Sequence, residues 1–195
     1  MIYSKSWSEM DTMHRANAIV LEILGKLKDR VVPGITTAEL DRLAEEWTIK
    51  AGAKPAFKGY RDYPATLCAS INEEIVHGIP GPRELKEGDI IGLDLGVILD
   101  GYYGDAAMTV PVGQISSEAR HLLDATERSL GLGVQQVRVA NRISDIGRAV
   151  YSYVSALGYT VVKEFTGHGI GRELHEDPQV PNYVASGPDP RISEG

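Results

Sequence analysis

Between residues 89 and 105 the chain reads Asp89-Ile-Ile-Gly-Leu-Asp94-Leu-Gly-Val-Ile-Leu-Asp100-Gly101-Tyr-Tyr-Gly-Asp105, two apolar stretches joined at Asp100-Gly101. An Asp-Gly pair between hydrophobic runs predicts a two-residue hairpin, because a type I′ turn needs positive φ at both central positions and Gly supplies it without steric strain. Leu99 then faces Tyr102. In that register Gly96 opposes Asp105 and Ala107 opposes Asp94, and the alternation of a strand puts both aspartates on one face, their Cα atoms roughly 7–8 Å apart. Ile90, Ile91, Leu93, Leu95, Val97 and Ile98 around them read as buried on both faces. Two carboxylates this close in a sheet interior repel, and one is driven to protonate unless a cation neutralises the pair. The hairpin is thus a candidate site for hard cations. The plainer reading turns one or both aspartates to solvent on an edge strand.

A second cluster runs Glu164-Phe-Thr-Gly-His168-Gly-Ile-Gly-Arg-Glu-Leu-His175-Glu-Asp-Pro178. His168 lies between two glycines, so the backbone there can approach a ligand closely. Neutral imidazole is the commonest nitrogen ligand for catalytic divalent metals, although a lone histidine in a Gly-rich turn is more often an ordinary loop residue. His77, in Asn72-Glu-Glu-Ile-Val-His77-Gly-Ile-Pro80, ends a short apolar stretch at a turn. Loops held on a rigid scaffold often carry function, yet taken alone His77 reads as a polar strand-end residue.

Taken together, Asn72-Glu-Glu-Ile-Val-His77-Gly-Ile-Pro80, the Asp94/Asp105 hairpin, and Thr166-Gly-His168-Gly-Ile-Gly-Arg172 followed by His175-Glu-Asp-Pro178 resemble type I methionine aminopeptidases. The resemblance runs from the first helix to the last residue with the motifs in order. It implies an α/β (α+β) pita-bread fold with pseudo-two-fold halves, and a five-ligand site for two divalent ions of the Co, Mn, Fe, Zn or Ni class. By resemblance Asp94 matches a ligand of the first metal, Asp105 the bridging aspartate and His168 the histidine ligand of the second. His77 and His175 match the two histidines that contact substrate and steady the tetrahedral intermediate. Phe57, Tyr60, Tyr63, Cys68 and Leu174 match the region of the methionine pocket. The implied reaction removes the N-terminal methionine of nascent polypeptides when the second residue is small. A metal-activated water is the nucleophile, and the ribosome is a place where such substrates could be met.

The family completes its metal site with two glutamates on strands beyond the equivalent of Gly195, one of them thought to act as general base. Glu194 precedes the first of those strands and does not replace either. Residues 1–195 are therefore expected to form one catalytic domain with its last strands missing, carrying three of five ligands. This chain could then be an inactive fragment.

Composition fits a globular enzyme domain. Across 195 residues, 43% hydrophobic and 24% charged content excludes a disordered or membrane-embedded class. The formal charge of −7 argues against direct DNA binding. One cysteine, Cys68, leaves no internal disulfide, and the first ten residues lack the apolar core of a secretory leader. The cytoplasm, no membrane partner and a monomer at full length are the expectations.

Hydrophobic spacing orders the rest. Ser8-Glu-Met-Asp11 resembles a capping box ahead of Met13, Ala16, Val20, Ile23, Leu24 and Leu27 at helical spacing, ending before Pro33-Gly34. Thr36-Thr-Ala-Glu39 opens a second helix with a Leu40, Leu43, Ala44, Trp47 stripe and Gly52 beyond its end. Both helices should cover a sheet. Strands are expected over 65–71 and 89–112, a third helix from Ser116 towards Val139, a fourth over 143–158, and a strand over 159–165. The repeated order of a helix pair followed by strands suggests two similar halves.

Three other readings share part of this pattern. They are an X-Pro peptidase of the same fold, a non-catalytic binding protein of that fold, and a mononuclear iron oxygenase with His and Asp ligands. X-Pro relatives usually carry an additional N-terminal domain, whereas the first helix here begins near Ser8. Four helix patterns speak against the all-β jelly roll that an iron oxygenase normally uses.

Overall fold

The computed structural model describes residues 2–194, and its backbone contacts divide into two compact units. The larger comprises Trp7–Ala119 together with Gly171–Leu174. The other is built from Arg120–Ile170, the chain up to Ser6 and the chain from His175 onward.

In the larger unit, α1 (Trp7–Lys28) and α2 (Thr37–Lys50) pack on a four-stranded sheet of β1 (Lys54–Pro55), β2 (Leu67–Ile71), β3 (Ile90–Leu99) and β4 (Tyr102–Pro111). All pairings are antiparallel, with β3 flanked by β4 on one side and by β1 and β2 on the other. The helical stripes behave as their spacing requires. Ala16, Val20, Ile23, Leu24 and Leu27 of α1 and Leu40 and Ala44 of α2 are buried, and Leu43 and Trp47 pack partly against them. They meet Ile91, Leu93, Leu95 and Val97, the odd-numbered face of β3, all fully buried. At about 25 cal/mol per Å² of apolar surface, each such side chain contributes roughly 1.5–3 kcal/mol.

The even-numbered face of β3 is only partly covered, since Gly92, Asp94 and Ile98 are half-buried. The expectation of a hairpin buried on both faces is corrected to that extent. This asymmetry positions the site, because one face of the hairpin is spent on the helix core and the other presents Asp94 and Asp105.

Local chemistry explains the boundaries. The Thr36 hydroxyl caps α2 by accepting the Glu39 backbone N–H at 3.1 Å. Gly52 follows that helix with φ 77°. Helix α1 starts at Trp7, so Ser8 lies within its first turn, where its carbonyl accepts the Thr12 hydroxyl at 3.1 Å instead of its side chain capping the end. Asp41 of α2 reaches out of its helix, its carboxylate accepting the backbone N–H of Thr66 and of Leu67, each at 2.8 Å. Asp41→Ala strands both donors at the entry to β2, so a loss of about 2–3 kcal/mol is expected in urea unfolding. An unchanged midpoint would show that water replaces the carboxylate.

Helix α3 (Ser117–Val134) begins in the last residues of the larger unit, where the Ser116 hydroxyl accepts the Ala119 N–H at 3.1 Å as its sequence predicts, and most of it belongs to the other unit. It stops short of Val139. Val137 and Val139 lie beyond its end and are exposed. Helix α4 (Ile143–Ala156) ends near Gly158 at φ 84°. No strand forms over 159–165, and β5 (Gly167–Gly169) instead pairs antiparallel with β6 (Glu176–Val180). Strand propensity is realised only by pairing, and among the described residues nothing pairs with 159–165.

Candidate metal and substrate site

The hairpin has the expected register, with Leu99 opposite Tyr102, Gly96 opposite Asp105 and Asp94 opposite Ala107. Asp100 and Gly101 both take positive φ, 50° and 81°, as a type I′ turn demands. The two aspartates therefore share a face, and their carboxylates approach closely enough to hydrogen-bond each other. Burial, then the Asp105 charge and that hydrogen bond, push the Asp94 carboxyl up to about 7. Two carboxylates bridged by a hydrogen bond are a donor set of hard oxygens with excess negative charge. They fit a divalent cation, which would take the proton's place.

Asn17 of α1 supports the pair from behind. Its amide donates to the Met13 carbonyl at 3.0 Å while its side-chain oxygen accepts the Asp105 backbone N–H at 3.2 Å. Sequence reasoning passed over this residue. The available signal was a polar side chain one position beyond Ala16, on the flank of the apolar stripe.

Three of the predicted pocket residues surround the same face. Cys68 pairs directly with Asp94 across β2 and β3 and is buried. Burial pushes its thiol up to about 11, with the charges of Asp94 and Asp105 adding to the effect and a hydrogen bond with Tyr63 opposing it. Phe57, also buried, lies over Gly96, where an added Cβ would come within 2.5 Å of its ring. The Tyr63 hydroxyl lies 3.1 Å from the Leu67 carbonyl and 2.9 Å from that of Gly78, and burial first of all raises its pKa. Tyr60 sits in a short 3-10 turn, Tyr60–Asp62, with the Arg61 guanidinium 5.4 Å from its ring centre.

His77 is exposed and holds φ 60°, a left-handed conformation that a non-glycine residue adopts at an energetic cost of order 1–3 kcal/mol. Its neighbour pins it. Gly78 accepts the Ala69 N–H at 2.9 Å and donates its own to the Ser70 hydroxyl at 3.1 Å.

His168 and His175 belong to the other unit, on β5 and just before β6, and their rings lie 4.2 Å apart at 42°. His168 Nδ1 is 2.9 Å from the Gly169 carbonyl, a contact in which a protonated Nδ1 donates and leaves the ring lone pair on Nε2. Leu174, in the larger unit, is buried. The predicted residues thus fall into the carboxylate pair, His77 and the residues expected at the methionine pocket in one unit, and His168 with His175 in the other. Among the described residues no group of three or more His, Cys, Asp or Glu side chains is gathered as a metal cluster.

Residues 11–195 match the model of metallopeptidase family M24, and the chain belongs to that family, a class of metal-dependent hydrolases with the pita-bread fold. Within the class its similarity runs to one kind of enzyme. It is 49% identical to a methionine aminopeptidase of Clostridium perfringens over 195 residues, covering all of this chain and 78% of that protein. It is 47% identical to methionine aminopeptidase 1 of Bacillus subtilis, covering 79% of it. The solved methionine aminopeptidase of Rickettsia prowazekii superposes with a TM-score of 0.97 at 36% identity, over all of this chain and 79% of that one.

Proposed function

We infer that the chain is a metalloaminopeptidase that removes the N-terminal methionine of polypeptides whose second residue is small. The observation that carries this reading is the Asp94/Asp105 pair, two carboxylates within hydrogen-bond reach of each other on one sheet face, in a chain whose relatives are named for that activity. Asp94 and Asp105 would hold divalent metal through carboxylate oxygens and His168 through its imidazole. Two ions of the Co, Mn, Fe, Zn or Ni class are the proposed set. When bound, such ions supply Lewis acidity and a water acidic enough to act as nucleophile near neutral pH.

The chain's own residues do the rest. Asn17 holds the backbone at Asp105, and with it the position from which that side chain extends. His77, fixed in its strained turn, and His175, packed on the His168 ring, are proposed to contact substrate, with His175 donating to the oxygen that gains charge at the scissile carbonyl. Phe57, Tyr60, Tyr63, Cys68 and Leu174 are proposed to enclose the methionine side chain, an unbranched thioether that suits an adaptable apolar wall. No helix among the described residues is long and apolar enough to cross a membrane. Nascent chains, free or emerging from ribosomes in the cytoplasm, are the proposed substrates.

The test is peptide hydrolysis with added divalent metal, run on the natural full-length protein. Met-Ala and Met-Gly peptides should be cleaved, and N-formylated counterparts should be slower by at least about 10³-fold, since formylation removes the amine that a metal-centred site binds. Equal turnover of free and formylated peptides would overturn the reading.

A further inference from the structure

The ribbon that carries the two histidines is tied at its bulge to the chain's first residues. Strands β5 and β6 pair with Gly169 opposite Glu176, and the register shifts between His168 and Gly169. The packing there is tight, since a Cβ on Gly169 would lie 2.3 Å from the Asp177 carbonyl oxygen and 3.0 Å from that of Glu176. Onto this point Lys5 extends its ammonium, 2.6 Å from the Glu176 carboxylate, with the two side chains only 16% and 12% exposed. The same ammonium donates to the Tyr3 carbonyl at 2.9 Å.

An ion pair between positions 171 apart and largely out of water differs from a surface pair. Desolvating two charges is unfavourable, so such a pair contributes mainly by holding one geometry, and removing one partner leaves a charge uncompensated. The backbone that it holds is the residue bonded to His175, whose ring packs at 4.2 Å on His168.

We propose that Lys5 is a positioning residue of the peptidase: through the Glu176 carboxylate it fixes the start of β6 and with it the orientation of the His175 imidazole. This rests on the reading of His175 as a group that contacts substrate. A donor aimed at developing charge loses much of its effect when displaced by an ångström, whereas substrate binding elsewhere is untouched.

Lys5→Met keeps the stem and removes the charge, Lys5→Arg keeps the charge, and Lys5→Met with Glu176→Gln removes both halves without leaving a buried charge alone. For a Met-Ala peptide, kcat is expected to fall about tenfold or more in Lys5→Met with KM nearly unchanged, and to be largely restored in Lys5→Arg. The double variant should regain the melting temperature of the parent but not its kcat. In metal-free protein the imidazole resonances of His175, assigned through His175→Asn, should shift in Lys5→Met and in the double variant and stay in place in Lys5→Arg. A kcat that follows melting temperature through the whole set, or His175 resonances unmoved by Lys5→Met, would make the pair merely structural and overturn the proposal. Wild-type turnover in His175→Ala would instead refute the substrate role of His175, and the resonances would still report whether Lys5 holds the ring.

Discussion

Asp94→Asn is expected to make the metal-free protein more stable above neutral pH while abolishing metal-dependent hydrolysis. The Asp94 carboxyl is pushed from its ordinary 3.8 to about 7 by burial and by Asp105. A raised pKa means that the fold favours the protonated acid. Below about pH 4 Asp94 is protonated in folded and unfolded chains alike, and the shift has no effect on stability. Between about pH 4 and 7 the unfolded chain ionises while the folded one keeps its proton, so the folded state loses ground steadily. Above about pH 7 the full penalty is present, roughly 2–4 kcal/mol after allowing for the partial exposure of the group.

Asparagine does not titrate and its amide can donate to Asp105. The variant should therefore unfold at higher urea than the parent at pH 8, and the two curves should converge near pH 4. Adding a divalent cation should reverse the order, because a ligand that binds only the folded parent stabilises it by mass action. Parallel pH profiles for the two proteins in a chelator would mean that Asp94 is not held against Asp105 as the geometry states.

Gly78→Ala is expected to lose activity by about 10²-fold through a displacement of His77, with a stability loss of roughly 2–4 kcal/mol. A Cβ at position 78 would lie 2.3 Å from the Ala69 carbonyl oxygen, 2.8 Å from its carbon and 2.9 Å from Ser70 Cα. All three are backbone atoms of β2 and cannot yield. The loop must move instead, breaking the bonds that Gly78 accepts from the Ala69 N–H and the Tyr63 hydroxyl and the one it donates to the Ser70 hydroxyl. His77 is covalently attached and already at φ 60°, so it cannot absorb the shift by relaxing in place. Kinetics with a Met-Ala peptide and thermal unfolding test both halves. Near-wild-type kcat/KM in a destabilised protein would remove His77 from the proposed machinery.

Much of the larger unit was legible in the sequence because its signals are local. The Asp100-Gly101 turn set the hairpin register, and from it followed the common face of Asp94 and Asp105, since alternation leaves no freedom once the turn is known. The apolar stripes of α1 and α2 likewise specified which side of each helix is buried. The histidine motifs were recognisable through family resemblance, which the matches over the length of the chain bear out for the family itself.

What the sequence left open was decided by long-range partners. The run over 159–165 has strand-like composition but no pairing edge among the described residues, and the helix expected to run towards Val139 ends at Val134, where the chain passes into tighter turns closed by Gln136 N–H to Gly133 and Val137 N–H to Val134. Asn17 behind Asp105, Tyr63 beside Gly78 and Lys5 on Glu176 join positions 88, 15 and 171 apart. Periodicity and propensity describe neighbours along the chain. A hydrogen bond or ion pair closed between distant segments depends on where the packed core delivers each backbone, and only the folded structure states that.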